Sequence, residues 1–346
     1  MINLEKEIRQ QPQVLASVSS VNAETVAKIA KQAKESGVTG IAFAARGTSD
    51  HAAIFAQYLF HRFTGMPCSL ATPSVVTCYG AHMQYAHTLV IGISQSGCAA
   101  DVRAVIEDAK LSGAMTVAIT NDSASPLACS ADYHLFCNAG PETSIAATKT
   151  FTAQMYVLTM LCEAFAHSEE LKKVLQSVPV LAQQLLDTVP QQIDTCIARY
   201  RYLQDAFVLG RGMAYPIALE GALKILETNK IRVRGYACSD FQHGPMAQLS
   251  AGTLAIILAP SGPTQQDALT MIDKASATGT EYLIVTDDAA LSSAHLHSIL
   301  IPGGAGDCAA SFLLAMAMQL FALKLTEIKG IDPDQSDVLK KITITK

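Results

Sequence analysis

Short, strongly apolar runs alternate along the chain with stretches whose apolar residues recur at helical spacing. The runs 40-GIAFAA-45, 88-TLVIGI-93, 115-MTVAIT-120 and 133-YHLFCN-138 predict strands in the first half. In the second half, 206-AFVLG-210, 253-TLAIILA-259, 282-YLIVT-286 and 296-LHSILI-301 predict four more. These runs are apolar throughout rather than alternating, which is the pattern of strands covered on both faces by helices in a parallel sheet. The segment from about residue 166 to 202 is polar, helical in spacing and without a strand signal, so it reads as a connector. Residues 1–35 read as a helical arm. The expected organisation is therefore a first α/β domain over 36–165, a second over 203–332, and a tail over 333–346 that closes over a site.

The two halves repeat each other. The stretch 41-IAFAARGTSDHAAIFAQYLF-60 resembles 206-AFVLGRGMAYPIALEGALKI-225, so that Gly47 corresponds to Gly212. Ser96-Gly97 then corresponds to Ser261-Gly262, and 115-MTVAITND-122 to 281-EYLIVTDD-288. An internal duplication of one α/β domain accounts for these matches.

Composition narrows the function. With 346 residues, half of them hydrophobic, the chain can build two cores. A net charge of -5 gives no footprint for nucleic acid. The nine cysteines are scattered and never form a C-x-x-C pair, which argues against a disulfide framework or a zinc site and for a reducing compartment. The N-terminal MINLEKEIRQQPQVL lacks the form of a signal sequence, and apolar runs such as 251-AGTLAIILA-259 are too short to span a bilayer. A cytoplasmic protein without membrane or nucleic-acid partners is expected. Sparse charge also points to surface buried in an oligomer.

Ligands of open parallel sheets sit beyond the carboxyl ends of the strands. Three such ends here are rich in hydroxyls: Arg46-Gly47-Thr48-Ser49, Ser94-Gln95-Ser96-Gly97 and 141-PETSIAATK-149. Free amides at a helix start, serine hydroxyls and a glycine that admits close approach suit a phosphate. No Lys-Ser/Thr pair follows a glycine-rich loop, and no G-x-G-x-x-G follows the first strand, so neither a nucleotide P-loop nor a dinucleotide site is indicated. Taken singly, each loop has an equally simple reading as helix N-caps. The second copy has fewer hydroxyls, Arg211-Gly212-Met213-Ala214 and Pro260-Ser261-Gly262-Pro263, and is expected to have lost the phosphate site.

That second copy carries other chemistry. In 217-IALEGALKILE-227, Leu219, Ala222, Leu223 and Leu226 form an apparent apolar face, and Glu220, Lys224 and Glu227 a polar stripe. The stripe is either a solvated edge held by i,i+4 pairs or a carboxylate oriented by a lysine for proton transfer. His243-Gly244-Pro245 offers an imidazole at a turn, structural or catalytic.

At this point the residues resemble a known family, the double sugar-isomerase (SIS) module of the kind found in the isomerase half of glucosamine-6-phosphate synthase. The resemblance runs through 6-KEIRQQP-12, 47-GTS-49, 94-SQSG-97, 142-ETSIAATKTFT-152, 210-GRGMAYPIALEGALKILE-227, 243-HGP-245 and 339-LKKITIT-345. It implies two tandem flavodoxin-like α/β/α domains, each with a mainly five-stranded parallel sheet. It implies that Ser49, Ser94, Gln95 and Ser96 hold a phosphate, with Thr48 and Gly97 beside them and Ile145 and Ala147 lining the substrate. It assigns Glu227 as the base that moves a proton between C1 and C2 of an open-chain sugar, with Lys224 orienting it. It makes His243 the ring-opening acid/base, donated across a homodimer interface, and Lys341 a tail amine able to form a Schiff base. No cofactor or metal is needed for this chemistry.

Departures from the synthase pattern matter. Cys98-Ala99 stands where the synthases have Glu-Thr, which removes a hydroxyl from the phosphate cup, and Ala147 replaces a serine. The chain begins with the isomerase-type arm, so glutamine hydrolysis is not expected. The expected reaction is deamination of an amino-sugar 6-phosphate, with glucosamine 6-phosphate giving fructose 6-phosphate and ammonia, or the related isomerisation of a galactosamine- or tagatose-type phosphate. A fructosamine-6-phosphate deglycase is the alternative enzyme, and a non-catalytic sugar-phosphate sensor the alternative of another class.

Overall fold

Among the described residues every strand is parallel to its neighbours, in two separate sheets. The computed structural model describes residues 2–336 together with Val338 and Lys341. The first sheet has the order β2-β1-β3-β4-β5, formed by β1 (Gly40–Ala44), β2 (Cys68–Leu70), β3 (Thr88–Ser94), β4 (Met115–Thr120) and β5 (Tyr133–Phe136). The second is β10-β9-β8-β6-β7, formed by β6 (Asp205–Gly210), β7 (Arg232–Ala237), β8 (Leu254–Leu258), β9 (Glu281–Thr286) and β10 (Ser298–Leu300). Each sheet thus has the doubly wound 2-1-3-4-5 order of flavodoxin-like folds, with its switch point between the first and third strands.

The apolar runs account for eight of these strands. The two not foreseen, β2 and β7, are both edge strands. Neither has an apolar run, because each is only partly covered: Arg232 and Arg234 of β7 face solvent, and β2 has no buried residue.

The helices are α1 (Asn3–Arg9), α2 (Gln11–Glu35), α3 (Thr48–Thr64), α4 (Pro73–Thr77), α5 (Ala100–Leu111), α6 (Pro126–Ser130), α7 (Lys149–Ala166), α8 (Glu169–Cys196), α9 (Ala214–Asn229), α10 (Cys238–Phe241), α11 (Gln265–Ala277), α12 (Ala289–Ala294) and α13 (Gly306–Lys329). The chain divides into two compact units. Among the described residues, the unit around the first sheet holds Gln13–Glu142, Lys149–Leu175 and Lys341. The unit around the second holds residues 2–12, Thr143–Thr148, residues 176–336 and Val338.

Burial follows the period of each element. On one face of the first sheet, Val102, Val105, Ile106 and Ala109 of α5 pack with Ala42, Ala44, Val90 and Ala118 of the strands. On the second sheet, Ala268, Met271 and Ile272 of α11 pack with Phe207, Leu209, Ala255 and Ile257. Helix α13 is long and apolar enough to cross a membrane by length and composition, but 94% of its most apolar window is buried, and it packs on α9 among others. It is a core helix.

Candidate active site

The phosphate-type loops leave the first sheet at its switch point. Strands β1 and β3 are neighbours, paired from Gly40↔Thr88 to Ala44↔Gly92. Arg46-Gly47-Thr48-Ser49 follows β1 and leads into α3. Ser94-Gln95-Ser96-Gly97 closes β3 and leads toward α5. In a 2-1-3-4-5 sheet this is where the two chain directions diverge and a crevice opens.

The serines are not helix caps. The N-cap of α3 is Gly47 and that of α5 is Ala99, and neither helix has a side-chain cap. Ser94 Oγ instead accepts from Gly97 N (3.1 Å), and Ser96 Oγ from Cys98 N (3.3 Å). Both hydroxyls shape the loop and leave the two helices without a side-chain N-cap, an arrangement open to an anion, while Val102 N in the first turn of α5 donates to Asp101 Oδ1 (2.9 Å). Gly97 has φ 63°, and a Cβ there would lie 2.0 Å from Ser125 Oγ, so no other residue fits. Ser49 is buried and accepts from Gln154 Nε2 of α7 (3.0 Å). Gln95 and Ser96 are half-buried, as is Thr48. Asn121, just past β4, donates its backbone N–H to Gln95 O (2.9 Å) and bonds Ala139 N and Gly140 O through its side chain. Gln154 and Asn121 were not picked out from sequence, because only the fold brings them to these loops.

The second copy keeps the backbone and adds a negative charge. Gly47 and Gly212 have φ 54° and 59°, and Gly97 and Gly262 have φ 63° and 138°, all positive. Where the first copy has the neutral Asn121, the second has Asp287, whose Oδ1 accepts from Ser261 N at 2.6 Å. A carboxylate already occupies this loop, which disfavours an anion there.

The stripe on α9 is an interior feature. Glu220 and Lys224 have side chains 1% and 2% exposed, and Glu227 is at 20%. Lys224 Nζ lies 3.2 Å from Glu220 Oε1 and 2.7 Å from Glu227 Oε2. The solvated-edge reading therefore fails, and so does the apolar face inferred from spacing. Leu226 is exposed and Leu219 and Leu223 are half-buried, while Ile217, Ala218, Ala222 and Ile225 are buried. The reason is that α9 is covered on two sides, by β6 and β7 and by α13. Burial pushes the Lys224 ammonium down, but the two carboxylates more than offset it, so its pKa stands above that of an ordinary lysine. The lysine is a fixed cation, and Glu227 is the member of the trio that reaches solvent.

His243 is exposed, in the same unit as Glu227. Among the described residues no hydrogen bond or ion pair joins the two side chains. Of the terminal 339-LKKITIT-345, Lys341 alone lies within the described residues. Its Nζ donates to Glu142 Oε2 (3.0 Å), and the buried Glu142 carboxylate also accepts from Thr150 N (3.1 Å) and Thr150 Oγ1 (2.7 Å). Ile145 and Ala147 are half-buried in the loop before α7. The start of that loop is held by Glu7 of α1, whose Oε1 accepts from Thr143 N (2.5 Å) and from Ser144 N (3.3 Å). Glu7 and Glu142 both lie inside the motifs that carry the family resemblance, but as carboxylates they had no assigned task. Among the described residues no group of three or more His, Cys, Asp or Glu is placed to hold a metal.

This arrangement has known relatives. The family model described as SIS domain matches residues 36–164 and again 204–328. The chain belongs to the SIS domain family. A glutamine--fructose-6-phosphate aminotransferase (isomerizing) from Aquifex aeolicus is 33% identical over 314 residues, covering 88% of this chain and 51% of that protein. The corresponding protein of Methanothermobacter thermautotrophicus is 32% identical over 341 residues, 97% of this chain and 56% of its own length. The chain thus spans about half the length of the curated relatives it matches. The solved C-terminal domain of glucosamine-fructose-6-phosphate aminotransferase from Francisella tularensis superposes with a TM-score of 0.88 at 25% identity, covering 97% of this chain and 98% of that one. A glucosamine-6-phosphate deaminase from Thermotoga maritima shares the fold, with a TM-score of 0.80 at 20% identity over 99% of this chain and all of that one.

Proposed function

We propose that this SIS protein deaminates an amino-sugar 6-phosphate, with glucosamine 6-phosphate and water giving fructose 6-phosphate and ammonia. The observation that carries the reading is the charge trio of α9. A buried lysine kept protonated holds one carboxylate in the interior and presents a second, Glu227, toward solvent. A solvent-reaching carboxylate held beside a fixed cation is a suitable general base for a proton α to a carbonyl.

In this proposal the Ser49 and Ser94–Ser96 loops, with the starts of α3 and α5, take the phosphate. His243 opens the sugar ring, and we propose that it serves the site of the partner in a homodimer. Glu227 removes the C2 proton of the open-chain aldehyde and returns a proton to C1, converting the 2-amino aldose to a 2-imino ketose. Lys341 displaces ammonia at C2 as a Schiff base, and water then cleaves that bond to release the ketose and the free lysine. The Glu142 carboxylate, which holds the amine in place, can accept or return the proton it sheds.

The test is a substrate panel. Ammonia release from glucosamine 6-phosphate and galactosamine 6-phosphate is compared with amino-acid release from fructosamine 6-phosphates. Proton transfer is read independently, from deuterium entering C1 in heavy water. Glu227→Gln is expected to abolish turnover and deuterium entry while fructose 6-phosphate still binds. A Glu227→Gln enzyme with a near-normal rate removes the mechanism, and amino-acid release without ammonia release replaces the deaminase with a deglycase.

A further inference from the structure

Arg46 stands in the serine-bearing loop that follows β1, and no task was assigned to it from sequence. It ends the β1 run and lies one residue before the N-cap of α3. Its Nε donates to Asp101 Oδ2 at 2.7 Å, and Asp101 lies in the first turn of α5, with its side chain 3% exposed. The guanidinium therefore bridges the loop after β1 and the loop after β3, the two that flank the switch point. A second carboxylate, Asp50, is close enough to feel its charge. Among the described residues, Nε makes its only hydrogen bond, so both terminal NH2 groups are unengaged, on a side chain 47% exposed.

The duplicate shows that this is not simply how the fold is built. Arg211 occupies the matching position and Asp267 the matching first turn, but the pair is looser, at 3.5 Å, with the two side chains 40% and 43% exposed. A terminal nitrogen of Arg211 is already committed to Ser239 Oγ. In the copy whose loop holds the carboxylate of Asp287, the guanidinium is spent on the protein. In the copy with the neutral Asn121 at that position, it is held by one edge with its fork open. A buried carboxylate on Nε fixes the plane of an arginine and leaves the two-pronged face for an oxyanion.

We propose that Arg46 is a phosphate-binding residue of this site, and that it makes good the hydroxyl lost at Ala99. The inference rests on the reading of the serine loops as a phosphate site. A threonine at position 99 would supply one neutral donor, whereas Arg46 supplies two charged ones, so the pocket is more selective for a phosphate dianion over an uncharged sugar.

The test is calorimetric titration with fructose 6-phosphate, with inorganic phosphate and with fructose. Arg46→Gln should weaken fructose 6-phosphate and inorganic phosphate by a similar factor, about ten- to a hundredfold, as expected for a lost charge-assisted contact. Arg46→Lys, which keeps the charge and can still pair with Asp101, should recover part of that loss. Arg211→Gln should bind as the unmodified protein does. Arg46→Gln within twofold of the unmodified protein overturns the assignment, as does equal weakening by Gln and Lys. An unmodified protein that binds fructose 6-phosphate but releases no ammonia from glucosamine 6-phosphate leaves Arg46 in place and removes the proposed reaction. One that binds neither phosphate overturns both.

Discussion

Replacing Lys224 by methionine tests the central claim about α9. The ammonium lies 3.2 Å from Glu220 and 2.7 Å from Glu227, in a position 2% exposed. At an effective dielectric of about 20, those separations correspond to gross attractions of roughly 5 and 6 kcal/mol, most of which is cancelled by the cost of burying the charges. What the substitution exposes is the remainder: Glu220, 1% exposed, would keep its burial and lose its lysine. Breaking a buried pair in this way typically costs about 3–5 kcal/mol, whereas removing both charges costs less. Lys224→Met should therefore destabilise by about that amount, and Glu220→Gln/Lys224→Met should be more stable than Lys224→Met alone. The chain contains no tryptophan, so urea unfolding is best followed by circular dichroism of its helices. A single variant within about 1 kcal/mol of the parent, or a double variant whose cost is the sum of the two singles, would refute the reasoning.

Other outcomes follow from the same geometry. Gly97→Ala places a methyl 2.0 Å from Ser125 Oγ at φ 63°, and should remove phosphate binding, measured by calorimetry, while the second unit's helices remain folded by hydrogen exchange. Gly235→Ala, whose Cβ would lie 2.7 Å from Ala218 O, should push β7 off α9 and lower the thermal midpoint; an unchanged midpoint rejects the close packing. Mixing inactive His243→Ala and Glu227→Gln chains should restore part of the activity through hybrid dimers, and no recovery after demonstrated subunit exchange counts against a shared site. His134 has its pKa lowered by burial, against the pull of Asp122, and is bonded to Thr120 Oγ1 at 2.8 Å. Its contribution to stability is thus full above its unfolded value of about 6.5 and is lost as pH falls through the folded one. His134→Gln should flatten the drop in melting temperature between about pH 7 and pH 5.

The central strands were legible because burial on both faces leaves an unbroken apolar run; of the four edges, β5 and β10 still carry apolar runs, whereas β2 and β7 do not. The serine loops were legible as chemistry, but choosing between capping and ligand needed the hydrogen bonds. Those bonds show Ser94 and Ser96 spent on loop amides and both helices starting without side-chain caps. On α9 the spacing of Glu220, Lys224 and Glu227 was visible, yet its depth was not. A helix covered on two sides has no single apolar face, so Leu219, Leu223 and Leu226 looked more buried than they are. Gln154, Asn121, Glu142, Glu7 and Arg46 act across 18 to 199 residues of sequence, on partners such as Ser49 and Lys341, and no local pattern encodes such contacts.

The start of the chain also bears on how the protein is made. Gln11 Nε2 donates to Gln319 Oε1 at 2.8 Å, both buried and 308 residues apart, and α1 packs on α13. During synthesis the opening turns must wait for nearly the last segment before their partner exists. Deleting residues 1–12 should therefore weaken the half encoded last and spare the half encoded first, and a nascent chain halted before α13 should leave its own beginning open to proteolysis.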